Sequence, residues 1–230
     1  RERDTMSTTK PRERPMNVPA WEVRAIRDGR KTQTRRVIKT SIQDWSEIRL
    51  GFFNPTKINR RGEEYAGRDV FGAYTDDGEW GLKCPFGQPG DLLWLRETWR
   101  PYWCDTLYAC VQYKVDELKR KPAIQDENKA GRFVEMCDLS KDDNEPWRPS
   151  TQMPRWASRE TLRIKSVRIE RLQEISEADA LAEGIVLKGV DCRPGWAYRE
   201  MYQDHWRSTN SPDSWDANPW VWVIEHERVT

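Results

Sequence analysis

Short stretches in which hydrophobic and polar residues alternate are the commonest pattern along this chain. The longest are residues 32–38, 91–99, 161–172 and 219–229. All are rich in β-branched or aromatic residues, and such alternation is typical of a half-buried β-strand. Residues 69–74 and 79–83 form a candidate hairpin around an Asp-Gly turn, and residues 107–113 form a weaker strand candidate. The pattern predicts a mainly β protein.

Helical spacing is confined to a few segments. Residues 18–28 carry an apolar stripe through Val23 and Ile26, and Gly29 follows where a helix would end. Residues 176–184 begin with a serine cap and end at Gly184, and residues 198–208 form a further helix candidate. Many short strands with a few helices predict an α+β fold, a β-barrel with peripheral helices.

One domain accounts for most of the chain. Residues 1–15 are charged and lack large apolar side chains, so we expect a disordered lead-in. Residues 16–229 form a single domain, and 230 residues suffice for a proper core. The strongly polar stretch at about 116–146 contains too few apolar residues for a second core and is interpreted as an inserted loop.

Composition excludes several classes of protein. The five cysteines include no Cys-x-x-Cys pair, so neither a zinc site nor a disulfide framework is indicated, and no metal or other cofactor is expected. No apolar run reaches the length of about 18 residues that a membrane span needs. We expect a cytoplasmic protein without a membrane partner.

Overall charge gives no attraction to nucleic acid, because 39 Lys and Arg residues balance 38 Asp and Glu residues. Local patches must supply any such binding. Residues 147–159 interleave tryptophans with arginines, which suits stacking on bases and contact with phosphates. A structural loop whose tryptophans cap the core explains the same pattern equally well.

Two segments carry the side chains best suited to catalysis or to binding a ligand. Residues 29–36 place Lys31 and Thr34 directly after the first helix, and Glu97 lies at the end of the strand at residues 91–99. In a regular strand, side chains three positions apart point to opposite faces, so a turn at the helix exit must bring Lys31 and Thr34 together. An ammonium, a hydroxyl and a carboxylate could then form a small polar pocket.

Three motifs resemble the ASCH domain of the PUA-like superfamily. They are Gly29-x-Lys31 with the arginines that follow, Gly90-Asp91 with Glu97, and Ser176-Glu177 with Glu183-Gly184. The layout is similar to that of ASCH proteins common in phages and prophages. The resemblance covers residues 16–229, with 116–146 outside its core pattern. It implies a compact barrel whose cleft receives nucleic acid or a base and, for a phage protein, the host cytoplasm.

In one branch of that family, the acetylcytidine amidohydrolases, a Lys, a Thr three residues later and a Glu on a later strand perform the reaction. Lys31, Thr34 and Glu97 match those positions, although this chain is much longer. The resemblance implies an enzyme that hydrolyses a bond on a modified pyrimidine base or nucleoside. Thr34 would attack, Lys31 would act as the base if its ammonium form is disfavoured, and Glu97 would orient the lysine or protonate the leaving nitrogen.

Other roles remain open for the same residues. Lys31 and Glu97 could form an ion pair that ties the helix to the barrel, and such a lysine would not act as a base. A reader of RNA or of modified DNA bases would hold a base without hydrolysing it, and a nuclease is a third possibility. In each case we expect the nucleic acid or base to contact the residues Arg35, Arg36, Trp99, Arg155, Trp156 and Arg159.

Overall fold

The computed structural model describes residues 10–40, 48–77, 80–104, 108–120, 126–138, 146–185 and 198–229. The helices in these ranges are α1 (Ala20–Arg27), α2 (Glu127–Asp138), α3 (Glu177–Ala182) and α4 (Tyr198–Thr209). The strands are β1 (Glu13–Asn17), β2 (Gln33–Val37), β3 (Ile48–Phe53), β4 (Thr56–Ile58), β5 (Glu64–Ala66), β6 (Val70–Thr75), β7 (Gly81–Lys83), β8 (Leu92–Arg96), β9 (Trp99–Cys104), β10 (Tyr108–Tyr113), β11 (Lys119–Arg120), β12 (Thr161–Arg171) and β13 (Trp220–Arg228). The predicted α+β class, rich in strands, is confirmed.

A five-stranded sheet in the order β1-β8-β12-β13-β2 carries all four of the long predicted strands. β1 runs parallel to β8, and the other neighbours in this sheet are antiparallel. β1 and β2 lie at opposite edges, and no pairing among the described strands joins them. The sheet is therefore open in the described part of the chain, and the expected closed barrel is not seen there.

Smaller sheets surround this one. β3, β6 and β7 form one sheet, β9, β10 and β11 another, and β4 and β5 a two-stranded hairpin. β6 and β7 are the predicted hairpin at residues 69–74 and 79–83, although its Gly78 and Glu79 lie outside the described residues. The strand predicted at 107–113 corresponds to β10, and Leu107 also lies outside the described residues.

Part of the predicted lead-in is ordered, so that prediction is wrong for residues 13–15. These residues belong to β1, whose Pro15 lies opposite Trp94 of β8. Proline is tolerated there because an edge strand needs hydrogen bonds on one side only. Met16 is buried in the core and anchors the strand. Residues 1–9 lie outside the described residues.

The stretch at 116–146 is not simply a polar loop, because it contains β11 and α2. Phe133 and Cys137 lie four positions apart and therefore share one face of α2. Both are buried in a small hydrophobic cluster with Trp99 and Met153. A few well-spaced apolar residues were enough to dock this helix against the cluster. Residues 121–125 and 139–145 of this stretch lie outside the described residues.

The main sheet is covered on both faces, as β13 shows most clearly. Its Trp222 and Ile224 pack in one hydrophobic cluster with Ile26 of α1, and its Val221 and Val223 pack in another with α4. Side chains at alternate positions of a strand point to opposite faces, so β13 is buried on both sides. The exit of α1 thus lies beside β2 and β13. No helix in the described ranges is long and apolar enough to cross a membrane.

Candidate functional site

The exit of α1 brings Lys31 against the end of α3. Gly29 ends the helix with a φ of +72°, and the Lys31 amide donates to the Ala25 carbonyl at 3.0 Å. Lys31 then forms an isolated antiparallel bridge with Glu183. Gly184 permits this approach, because a Cβ atom there would lie 2.8 Å from the Cβ atom of Lys31.

Lys31 has a carboxylate partner, which is Glu183. Its Nζ atom lies 2.6 Å from Glu183 Oε2 and 3.1 Å from the Glu183 carbonyl oxygen. The other carboxylate oxygen of Glu183 accepts from Arg35 Nη1 at 3.1 Å. All three side chains are almost completely buried. Two buried cations therefore share one carboxylate, and Arg35 gains further acidic partners in Glu170 and Asp179.

Thr34 makes its side-chain contact with a histidine on the neighbouring strand. Its Oγ1 atom lies 3.2 Å from His226 Nε2, and both residues are buried. Burial, reinforced by the positive charges of Lys31 and Arg36, lowers the pKa of His226 to about 3. His226 is therefore a neutral imidazole at physiological pH, able to accept or donate at either nitrogen according to its tautomer.

The second histidine also lies near Lys31, although the two histidines are far apart in sequence. The ring of His205 meets the ring of Trp21 edge-on at 4.4 Å, and Lys31 Nζ lies 5.3 Å from the centre of the Trp21 ring. Burial and then the charge of Lys31 lower the pKa of His205. The fold thus gathers both histidines around one lysine.

An open pocket of about 520 Å³ lies beside this cluster. Its polar lining includes Lys31, Gln33, Lys165, Glu225 and His226. Gln33 is 2% exposed; its Oε1 atom accepts from Arg168, whereas its Nε2 atom has no hydrogen-bond partner of ordinary geometry. Buried amide nitrogens are normally satisfied, so this nitrogen is an exception.

Asp179 also lines this pocket, and the Gln33 amide is close enough to influence its carboxylate. Thr34, in contrast, is fully buried and does not line the pocket.

Glu97 belongs to a different charged cluster. Its two carboxylate oxygens accept from Arg159 Nε at 2.7 Å and from Arg159 Nη2 at 2.8 Å. Arg159 also donates to Asp116 at 2.9 Å, and its guanidinium lies 3.9 Å from the centre of the Tyr113 ring. Burial raises the pKa of Glu97 despite the opposing effect of Arg159. In the described part of the chain, Glu97 makes no hydrogen bond with Lys31 or Thr34.

The residues expected to grip nucleic acid are mostly engaged within the protein. Arg36 pairs with Glu22 at 3.1 Å. Trp99 is 2% exposed, and Trp156 meets it edge-on at 5.9 Å while packing against α2. The structural interpretation of residues 147–159 therefore applies to Trp156. Contact of this segment with nucleic acid stays a prediction.

Arg155 and Arg159 differ sharply in accessibility. The Arg155 side chain is 43% exposed and pairs with Glu13 at 2.7 Å. The Arg159 side chain is only 5% exposed and lies between its two carboxylate partners. An exposed ion pair exchanges readily with other anions, whereas a buried one does not. Of these two arginines, only Arg155 can meet a phosphate without a rearrangement.

Glu183 is the site residue that the sequence interpretation missed. It is the C-terminal cap of α3, where a carboxylate is disfavoured by the partial negative charge of the helix end. An acid in that position beside a glycine is a signal that a cation lies nearby. Glu183 entered the sequence analysis only as part of the third motif, because its partner Lys31 lies 152 positions away in sequence.

No known protein family, curated protein or solved structure matches the chain. The described residues contain no group of three or more His, Cys, Asp and Glu side chains placed to hold a metal ion. The resemblance to ASCH domains therefore rests on the three sequence motifs, and the site must be interpreted from its own geometry.

Proposed function

We propose that this protein is an ASCH protein of the PUA-like type that binds a modified pyrimidine base or nucleoside in the pocket beside Lys31. The observation that carries the proposal is the floor of that pocket. There Lys31, His226 and Gln33 bring together a buried ammonium, a neutral imidazole and an amide nitrogen without a hydrogen bond of ordinary geometry. A cytoplasmic setting and a nucleic acid as the source of the base belong to the same proposal.

The pocket suits a small polar heterocycle. Its volume of about 520 Å³ lies within the range of roughly 300–1,000 Å³ that small-molecule sites occupy. Pyrimidines present ring nitrogens and carbonyl oxygens at their edges, which neutral donors such as amide and imidazole N–H groups can recognise. Gln33 Nε2 would donate to a carbonyl oxygen of the base, and Lys31 retains donor capacity beyond its two bonds to Glu183.

Binding without hydrolysis fits the charged partners better than catalysis does. Glu183 holds the ammonium of Lys31, and Arg159 occupies both oxygens of Glu97. A base and an acid that must exchange protons with a substrate need to be free to reach it. The arrangement is that of a reader, in which the same residues hold a base and fix its orientation.

One observation favours hydrolysis as a second candidate. The Thr34 hydroxyl lies within hydrogen-bond distance of a neutral imidazole, and this is the contact that activates a hydroxyl nucleophile. In that reaction His226 would take the Thr34 proton while the hydroxyl oxygen attacks the acyl carbon, and would return the proton to the leaving nitrogen as the C–N bond breaks. Water would then hydrolyse the acyl-threonine ester and release the acid. The full burial of Thr34 argues against it, because the substrate would need a path to the hydroxyl.

Binding can be measured by calorimetry with cytidine, N4-acylated cytidine and 5-substituted cytidines. We expect Gln33→Leu to weaken binding by about 5-fold or more, because it removes a buried donor at nearly constant size. Gln152→Leu is the matched control, since Gln152 is exposed and does not line the pocket. Equal affinities of the wild type and Gln33→Leu for every ligand would contradict the proposal.

The reader and the hydrolase are separated by incubating the same ligands with the protein and analysing products by mass spectrometry. A reader leaves all ligands intact. A hydrolase releases a product, and His226→Gln should then reduce turnover by about 100-fold or more, because an amide cannot take the Thr34 proton. Thr34→Val tests the nucleophile, since it removes the hydroxyl at similar shape. Release of product by the wild type would overturn the reader in favour of the hydrolase.

A further inference from the structure

A second open pocket, of about 590 Å³, lies between the main sheet and the sheet of β3, β6 and β7. It has no lining residue in common with the pocket beside Lys31. Its side chains include two aromatic rings, Phe52 and Phe71, and the cations Arg12 and Lys83.

An exposed aromatic ring forms one wall of this pocket. Phe52 is 58% exposed, and its ring meets that of Phe71 edge-on with centroids 5.5 Å apart. Burying a phenylalanine is favourable by about 1.5–3 kcal/mol. A ring that is this exposed presents a face on which a flat ligand can stack.

Arg12 and Lys83 supply positive charge that the protein does not neutralise. In the described part of the chain neither side chain forms an ion pair, and both residues are exposed. Arg12 is nevertheless held in place, because its backbone amide donates to Asp91 Oδ1 at 3.0 Å. Its position at the rim is therefore fixed while its guanidinium is free.

The acids of the pocket do not cancel these cations. Asp91 is 4% exposed, and Arg14 neutralises it at 2.7 Å. Gly87, whose φ is +116°, lies against this pair, since a Cβ atom there would lie 2.5 Å from Asp91 Oδ2. Asp69 is the remaining acid in the lining. The free charges therefore comprise two cations and one carboxylate.

We propose that this pocket binds a single-stranded nucleic acid, with a base stacked on Phe52 and phosphates held by Arg12 and Lys83. Aromatic faces beside cations are the features that bind single strands without reading their sequence. The bases of a duplex are already stacked on one another, so a duplex cannot use the exposed ring. The proposal is independent of any ligand in the pocket beside Lys31.

The test is fluorescence anisotropy with labelled 12-nucleotide single strands of DNA and RNA and with the corresponding duplex. Phe52→Ala should weaken binding of the single strands by between about 5- and 150-fold, which is the usual effect of losing one stacked base. Tyr65→Ala is the matched control, because Tyr65 is 51% exposed but lies outside the pocket. Both residues are exposed, so both variants should fold.

The salt dependence tests the cations separately. For single strands, log affinity falls against log salt with a slope of about 0.7 per neutralised phosphate, so Arg12→Ala with Lys83→Ala should reduce the slope by about 1.4. Lys129→Ala, on the exposed face of α2, should leave the slope unchanged. Unchanged affinity in Phe52→Ala, an equal loss in Tyr65→Ala, or tighter binding of the duplex would each overturn the proposal. These outcomes do not depend on whether Gln33→Leu affects nucleoside binding.

Discussion

The two pockets differ in what their charged residues do. Beside Lys31 the two buried cations, Lys31 and Arg35, share the carboxylate of Glu183, and Arg35 pairs with Glu170 and Asp179 as well. Around Phe52 the cations Arg12 and Lys83 are exposed and, among the described residues, unpaired. Buried charges tolerate desolvation only when they are paired, so Lys31 and Arg35 contribute to the structure, and a ligand in that pocket meets the neutral groups beside them. A ligand in the pocket around Phe52 meets unpaired positive charges.

The same contrast explains why arginine-rich segments are a poor guide to nucleic-acid binding. The segment at 147–159 has the expected composition, yet Arg159 is committed to Glu97 and Asp116. Arg12 lies in the charged segment at residues 1–15, and Lys83 lies in a segment of ordinary composition. Whether a cation is free depends on carboxylates that are distant in sequence, and composition does not record them.

The largest expected effect comes from breaking the buried cluster. Glu183→Ala removes the carboxylate shared by Lys31 and Arg35 and leaves Lys31 buried without a counter-charge. Removal of one partner from a buried ion pair typically costs about 3–5 kcal/mol. We therefore expect the free energy of unfolding, measured by urea denaturation, to fall by that amount.

Asp216→Ala is the matched control for Glu183→Ala. Asp216 pairs with Arg207 at 2.8 Å, but the Asp216 side chain is 66% exposed. Exposed pairs contribute at most about 1 kcal/mol, so this variant should unfold almost as the wild type does. Equal losses of stability in the two variants would show that the cost of removing a carboxylate does not depend on its burial.

Strand positions were predictable because they depend on local patterns. The alternation at residues 219–229 identified β13, and Gly29 identified the end of α1. The helix in the polar stretch at 116–146 was missed because few apolar residues dock it, chiefly Phe133 and Cys137, and their burial depends on a distant partner, Trp99. Closure of the sheet likewise depends on which distant edges meet.

The neutral imidazole of His226, which lies beside the paired cations, should make the stability of the protein depend on pH. His226 has a folded-state pKa of about 3, against an ordinary value of 6.5. Between these values the unfolded chain binds a proton that the folded chain does not. Stability from this group is therefore complete above pH 6.5 and is lost as the pH falls towards 3. From pH 6.5 to 5 the loss should be about 2 kcal/mol.

His226→Gln should remove that part of the pH dependence, as measured by urea denaturation at a series of pH values. His205 contributes in the same direction, and Glu97, whose pKa is raised, in the opposite one. Both remain in the variant, so the difference between the two proteins isolates His226. Parallel curves for wild type and variant between pH 6.5 and 5 would contradict the assignment of a neutral, buried imidazole.

The candidate site was only partly predictable. Lys31 and Thr34 were expected to share a site, and both lie beside His226, one in the pocket lining and the other behind it. Glu97 was expected with them, but it pairs with Arg159. A sequence shows which residues can form ion pairs, whereas the choice between two carboxylates for one lysine depends on the packing of α1 against α3.

The smallest effect is expected at Arg155, the accessible arginine of the segment at 147–159. Its pair with Glu13 is exposed, so Arg155→Ala should change the free energy of unfolding by no more than about 1 kcal/mol. The informative measurement is the salt dependence of single-strand binding. If Arg155 contacts a phosphate, the slope should fall by about 0.7 in this variant, in addition to the loss in the Arg12 and Lys83 variant. An unchanged slope would assign this segment to structure alone, since Trp156 and Arg159 are already engaged in the interior, and would leave the pocket around Phe52 as the site that grips the strand.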